Sequence, residues 1–299
     1  MSTIAHLSDV HFGHHDPVVV EAVEQFLYER RPDLVVISGD FTQRARVKQY
    51  EMACAFVDRI EKSGLAVLAV PGNHDVPLYD IARRFLRPLD RYKRFIDDDL
   101  CPYWENEDLA VLGINTARSF TIKDGSVSYE QMHRIRETFH QVSEGKIRIL
   151  VTHHPLFAMP LGDEGALTKV ANRSPDALAA VAGAGVDLLL AGHFHRAYSI
   201  SAREMVETAG PSLVVQAGTA TSTRLRGGEQ QSFNWLEPAK GRVELQVHRW
   251  EKGSFVPGRP TLFERHEDNW HFAGRREEEG VPATPFADRE KAGLGSADS

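Results

Sequence analysis

Five short clusters of aspartate, histidine and asparagine punctuate this chain, and each follows directly on a short apolar run. Asp9-Val10-His11 follows residues 4–8, and Gly39-Asp40 follows 34–38. Gly72-Asn73-His74-Asp75 follows 65–70. His153-His154 follows 147–152, and Gly192-His193-Phe194-His195 follows 186–191. Continuous apolar runs of this length, rich in β-branched residues, read as buried strands. A further run, 109–115, lies between the third and fourth clusters. The segments between runs carry helical signals. Asp16-Pro17 offers an N-cap followed by proline at the first helical position, and Val18, Ala22, Val23, Phe26 and Leu27 then recur with helical spacing. Residues 46–63 place Val47, Tyr50, Ala53, Cys54, Val57 and Ile60 on one stripe, closed by Gly64. Residues 128–143 and 175–184 are the next helices. Strands alternating with helices predict a parallel α/β sheet, and such sheets gather their chemistry at the carboxyl ends of strands.

Beyond Ala191 the character changes. Residues 212–221, 231–236 and 242–250 read as strands with no helix between them, which predicts an antiparallel or mixed sheet packed on the first. From residue 274 the chain is rich in Glu, Gly, Pro and Ala. The expected organisation is one domain over 1–273 and a flexible tail over 274–299. The 299 residues are 42% hydrophobic, enough to bury a sizeable core. No apolar run approaches the ~20 residues of a membrane span. The first residues show no basic or apolar leader pattern, and Cys54 and Cys101 make no disulfide framework, so a cytoplasmic protein with free thiols is expected. A net charge of -7 argues against a nucleic-acid partner.

Carboxylate, imidazole and amide oxygen together suit divalent manganese, iron or zinc, and the lack of cysteine among them argues against a closed structural zinc site. Any one of these residues has an ordinary explanation, since an aspartate after a strand commonly caps a helix and a loop histidine is commonly solvated. Five clusters on successive strand ends do not. Asp9, His11, Asp40, Asn73, His153, His193 and His195 are too many groups for one ion with an open position. They fit two ions sharing a bridge, about 3.5–4 Å apart. Residues two apart on an extended chain point the same way, which predicts that Asp9 faces one point with His11, and His193 with His195.

The ordered series of motifs resembles the calcineurin-like metallophosphoesterase superfamily. The Asn-His-Asp and Gly-His-x-His forms are most similar to bacterial class III cyclic nucleotide phosphodiesterases and related glycerophosphodiesterases. The resemblance covers about residues 3–220 and implies a four-layer α-β-β-α sandwich, two mixed sheets packed face to face with flanking helices. It implies that Asp9, His11 and His195 bind one metal, that Asn73, His153 and His193 bind a second, and that Asp40 bridges them. His74 would face the substrate and protonate or stabilise the leaving oxygen, with Asp75 orienting it. The implied activity is in-line attack of a metal-bridging hydroxide on a phosphodiester. A lipid diphosphate hydrolase of the UDP-2,3-diacylglucosamine type is the alternative. A catalytically silent scaffold would have lost ligands, and none is missing.

Other residues leave choices open. Arg118 is placed to contact a substrate phosphate or to form a surface salt bridge. His154 contacts substrate or supports its loop. His14 and His15 read as solvated, and His6 as core. The stretch 218–222 brings backbone near the site. Residues 76–105 form a cap-like insertion whose first part is a basic amphipathic helix bent at Pro88, with Arg83, Arg84, Arg87, Arg91, Lys93 and Arg94 interleaved among apolar side chains. It is either an ordinary packed helix with a solvated basic face or a cap that draws anionic substrates or touches a membrane. The partners expected are a small-molecule or lipid phosphodiester, peripheral membrane contact and an oligomer.

Overall fold

The computed structural model describes residues 2–275 apart from 122–123, 159, 162–165, 168–169, 207–209, 226–227 and 268, so nearly all of the expected tail lies outside the described residues. The chain begins β1 (Ile4–Leu7), α1 (Pro17–Arg30), β2 (Leu34–Ile37), α2 (Val47–Lys62) and β3 (Val67–Ala69). A single 3-10 turn, Asn73–Asp75, leads to two short helices, α3 (Ile81–Leu86) and α4 (Asp90–Phe95), and to β4 (Tyr103–Glu105). Then come β5 (Leu109–Gly113), α5 (Tyr129–His140), β6 (Ile147–Val151), the short pair β7 (Pro160–Leu161) and β8 (Ala166–Leu167), α6 (Ser174–Gly183) and β9 (Leu188–Ala191). The chain continues through β10 (Tyr198–Ser201), α7 (Ala202–Met205) and β11 (Leu213–Gln216). It closes with β12 (Ser232–Ala239), β13 (Arg242–Glu251), β14 (Ser254–Pro257), β15 (Thr261–His266) and β16 (Asn269–Arg275).

Strand alternation builds the layers. In β2, Leu34 and Val36 point into one apolar cluster while Val35 and Ile37 point into another. In β9, Leu188 and Leu190 share the first of these clusters with Leu34, and Leu189 joins a third. The shared cluster, with Ile4, Val111, Ile149, Val151 and Val215, is the seam between two sheets. The second cluster packs the outer face of β1 and β2 against α1 and α2, through Val23, Leu27, Tyr50, Phe56 and Ile60. The third packs β5 and β9 against α5 and α6, through Met132, Ile135, Phe139, Ala177 and Val181. Both faces of the central strands β1, β2, β5 and β9 are therefore covered, which is why these strands read as unbroken apolar runs rather than alternating ones. The architecture is a four-layer sandwich of two mixed sheets with helices outside.

The sheets do not divide the chain into halves. One runs β16-β15-β13-β12-β1-β2-β3 with β14 on β13, and the other runs β10-β11-β9-β6-β5-β4. The strands after residue 230 were expected to form a layer packed on the first sheet. They extend that sheet instead, because β12 pairs antiparallel with the open edge of β1, Ile4 opposite Leu236. An unpaired edge in the middle of a buried layer would leave backbone N–H and C=O groups without partners. β11 joins the second sheet, parallel to β9. The expected bent helix is two separate helices. Pro88 has no N–H to donate, and Arg87 before it takes φ −148°, ψ 59°, outside the helical region. β16 runs two residues into the stretch expected to begin the tail.

Candidate metal centre

The loops after β1 and β2 are zipped together by backbone. Asp9 N–H donates to Gly39 O at 3.0 Å, and His11 N–H to Asp40 O at 2.9 Å. Asp9, His11, Asp40, His193 and His195 all have positive φ, between 48° and 83°. The expectation that pairs two apart would face one point from extended backbone is therefore corrected. Asp9 and His11 converge through left-handed turns, a conformation that costs about 1 kcal/mol or more for residues other than glycine, whereas His193 and His195 reach different partners, Asn73 and Asp9. The motif glycines provide clearance. A Cβ on Gly72 would sit 2.2 Å from Asp40 Oδ1, and one on Gly192 would sit 1.8 Å from Ser8 Oγ.

Each carboxylate divides its oxygens. Asp9 Oδ2 accepts from Ser8 Oγ at 2.6 Å and from His193 N–H at 2.9 Å. Its Oδ1 is buried without a donor, 3.1 Å from His195 Nε2 and 3.6 Å from His11 Nε2. Asp40 Oδ1 accepts from His74 N–H at 2.8 Å. Its Oδ2 lies 3.7 Å from His11 Nε2 and 3.4 Å from His153 Nε2. On the far side, Asn73 Oδ1 lies 3.2 Å from His153 Nε2 and 3.0 Å from His193 Nδ1. Ligand atoms about 3 Å apart are spaced as neighbours around one ion. The seven expected residues thus gather as two groups, with Asp40 Oδ2 facing both.

Backbone carbonyls set the imidazole tautomers. His153 Nδ1 sits 2.7 Å from Ser38 O, and His195 Nδ1 sits 3.2 Å from Arg224 O. A proton held on Nδ1 leaves the Nε2 lone pair free toward the cluster. Burial opposes ionisation of Asp40, but the imidazoles of His153, His74 and His11 outweigh it and hold its carboxyl well below the usual range. Burial likewise opposes charge on His153, yet Asp40, Asp9 and the Ser38 carbonyl push its pKa up to about 9. These residues hold a proton strongly where a cation would otherwise stand, and binding an ion there releases it. An orphaned buried carboxylate oxygen, aligned imidazole lone pairs and an amide oxygen fit a pair of borderline divalent ions.

His74 is half-exposed beside this cluster, its ring edge-on to that of His11 at 4.9 Å. Its Nδ1 lies 2.8 Å from Gln43 O and 3.2 Å from Gln43 Nε2. Asp75, expected to orient His74, instead directs its carboxylate to other partners. It accepts from the backbone N–H groups of Phe41, Thr42 and Gly72 and from the Thr42 hydroxyl, so it ties the β2 loop to the β3 loop. Burial and the neighbouring Asp40 push its pKa up to about 6 against those donors.

Among the described residues Arg118 pairs with no carboxylate, though its charge acts on His154 beside the cluster. Its guanidinium donates to Asn115 O, Ala117 O and Gln131 Oε1, bracing its own loop onto the first turn of α5. His154 is buried beside His153 and His193, with ring centroids 4.9 and 4.8 Å away, and its Nδ1 meets Thr116 Oγ1 at 2.8 Å. Its Nε2 is buried with no hydrogen-bond partner among the described residues, and one of its ring nitrogens lies within 4.8 Å of donor atoms of His153 and His193, so His154 also stands as a candidate ligand. Burial and the neighbouring imidazoles hold its pKa well below the usual histidine value. His6 is buried against Ser38 Oγ. Gln43 and Arg224 were not expected. Both act through carbonyls that any residue supplies, so the sequence carries no sign of them. Thr219 and Thr221 donate to the carbonyls of Asp9 and Val10, and their spacing of two after β11 was visible.

Comparison with known proteins fits this geometry. The profile of the calcineurin-like phosphoesterase family matches residues 2–197, a span that holds all five motifs. The DNA double-strand break repair protein Mre11 of Nanoarchaeum equitans (strain Kin4-M) is 30% identical over 84 residues, which is 24% of this chain and 23% of that protein. A dimetal phosphatase from Danio rerio shares the fold with TM-score 0.60 at 11% identity, over 86% of this chain and 98% of its own. The purple acid phosphatase PPD1 of yellow lupin (Lupinus luteus) does so with TM-score 0.64 at 14% identity, over 85% of this chain and 52% of its own. The Mre11 match spans less than a quarter of that relative's length. Together with the family match over most of the chain, the clustered aspartates and histidines lead to one conclusion: the protein belongs to the calcineurin-like phosphoesterase family, phosphoester hydrolases that use a dimetal centre.

Proposed function

We propose that the protein is a binuclear metal-dependent phosphodiesterase. The observation that carries this reading is the single oxygen, Asp40 Oδ2, facing two complete groups of donors. Asp9, His11 and His195 would hold one ion and Asn73, His153 and His193 the other, with Asp40 available to both. When bound, two such ions lower the pKa of water toward neutrality and offset phosphoryl charge. The chain's own residues then orient and protonate. Asp9 Oδ2 and Asp40 Oδ1 lock the loops by accepting backbone N–H groups, so their other oxygens need no reorganisation when a ligand arrives. His74, its Nδ1 anchored on Gln43 O, offers the opposite ring nitrogen to the leaving oxygen as general acid.

A second reading, hydrolysis of a lipid-linked diphosphate, draws support from the exposed Leu78, Tyr79 and Ile81 just beyond His74. The two readings part in one assay, with metal-stripped protein refilled with manganese and offered bis(p-nitrophenyl) phosphate or p-nitrophenyl phosphate. Strong preference for the diester is the expected result. Turnover of neither, with two ions per chain measured, would discard the general diesterase and leave a narrow substrate such as a lipid diphosphate, or a silent scaffold.

A further inference from the structure

The segment that follows the Asn-His-Asp turn leaves its apolar side chains in water. Leu86 is 80% exposed, Tyr79 70%, Ile81 68% and Phe85 49%, and Phe120, on the loop after β5, is 90% exposed. Phe85 and Phe120 meet with ring centroids 5.4 Å apart, so two chain segments form one apolar tip. The tip is held rigidly. Arg84, between the exposed side chains, turns inward and is buried, donating to Pro77 O at 3.0 Å, Ser119 O at 2.8 Å and Thr121 O at 2.6 Å. A buried guanidinium with three carbonyl partners fixes the display of apolar side chains left exposed among the described residues.

The surroundings are cationic although the chain as a whole carries -7. Residues 76–99 hold Arg83, Arg84, Arg87, Arg91, Lys93 and Arg94 against Asp80, Asp90, Asp97, Asp98 and Asp99. Arg84 turns inward, and Arg83 and Arg87 pair with Asp80 at 3.3 Å and Asp90 at 3.7 Å, which leaves Arg91, Lys93 and Arg94 as the remaining cations of the segment. Arg87 and Lys93 border a cavity of about 350 Å³ beside Leu86. The tip adjoins the metal centre, because Arg44 lies over the Tyr79 ring at 5.6 Å and follows Gln43, the anchor of His74.

We propose that this tip docks the protein on an anionic phospholipid surface, with Phe85, Leu86 and Phe120 entering the headgroup–acyl boundary and the flanking cations meeting lipid phosphates. Protruding aromatic and aliphatic side chains fringed by Arg and Lys are the composition that binds such an interface. Local positive charge on an acidic protein turns this face toward the membrane. No helix among the described residues is long and apolar enough to cross a membrane, so contact is at the surface. A second copy of the chain would set this basic fringe against its own like charges, which favours lipid as the occupant. This inference stands independently of the phosphodiesterase reading.

The experiment is co-sedimentation of the full chain with vesicles of phosphatidylcholine and phosphatidylglycerol in equal parts, against vesicles of phosphatidylcholine alone. The expected result is binding to the mixed vesicles that weakens as salt rises. The combined Phe85→Ser, Leu86→Ser, Phe120→Ser variant should lower binding about tenfold or more. Arg87→Glu with Lys93→Glu should lower it to the level of neutral vesicles. Melting curves report whether each variant is folded, and hydrolysis of soluble bis(p-nitrophenyl) phosphate should be unchanged. Absence of binding by the wild type, or equal binding by the apolar variant, overturns the proposal. So does a dimer that the apolar variant dissociates without any vesicle binding, which would give the patch to a second copy.

Discussion

Asp40 uses its two oxygens differently: one holds the N–H of His74 and the other faces both donor groups. Asp40→Asn keeps an oxygen for the N–H but removes the negative charge common to both groups. The expected outcome is loss of both ions, read by elemental analysis, while one ion retained at full occupancy would separate Asp40 from one group. His74→Ala should leave metal content intact and lower turnover by about 10²–10⁴-fold, the usual worth of a general acid. Normal turnover in a fully metallated His74→Ala protein would remove that role. Gly192→Ala drives a Cβ into Ser8 Oγ and should cost about 1–3 kcal/mol, measurable by urea unfolding. The ligand types were legible because carboxylate, imidazole and amide side chains are named by the sequence. The groups that aim them were not, since Ser38, Gln43 and Arg224 work through main-chain oxygens.

At the scale of elements, the buried strands and long helices could be read because each announces itself locally. Asp16 caps α1 by accepting from Val18 N–H at 2.9 Å, and Ser128 and Gln131 form a reciprocal capping pair on α5. Asp16→Ala should lower stability by about 1 kcal/mol in thermal unfolding, and an unchanged midpoint would show that the cap contributes nothing here. What a strand pairs with is not a local property. β12 looks the same whether it opens a new sheet or closes the edge of β1, and only the need of that edge for partners decides. β14, β15 and β16 escaped notice because few of their residues are buried: Glu264 and Arg265 are half-buried, His266 is exposed, and charge falls on both faces. The break at Pro88 was visible, though only as a bend. Two helices result because the residue before proline is also forced out of the helical region.

At the scale of the whole molecule, one buried histidine outside the candidate ligand set couples folding to acid. His248 is buried, stacked on Phe233 with rings 4° from parallel, and neither ring nitrogen has a partner. Burial lowers its pKa from 6.5 to about 4, with the Arg30 charge adding to the effect. The unfolded chain therefore binds a proton there at pH values where the folded chain does not. The stabilising effect is fully present above pH 6.5 and is lost as pH falls through 4, by about 3 kcal/mol. Thermal unfolding at steps from pH 7 to pH 4 should show His248→Phe losing less stability than the wild type, whereas parallel curves would clear His248 of any part in acid sensitivity.

The pairing of β1 with β12 also sets a schedule. Every strand of the second sheet lies between Tyr103 and Gln216, so a chain leaving the ribosome can complete that sheet while its end is still being made. The first sheet cannot be finished then. β1 keeps one edge open until Ser232–Ala239 has emerged, and non-local pairings of that kind form slowly. Asp9 and His11, which follow β1, are therefore made well before the strand that closes the sheet beside them.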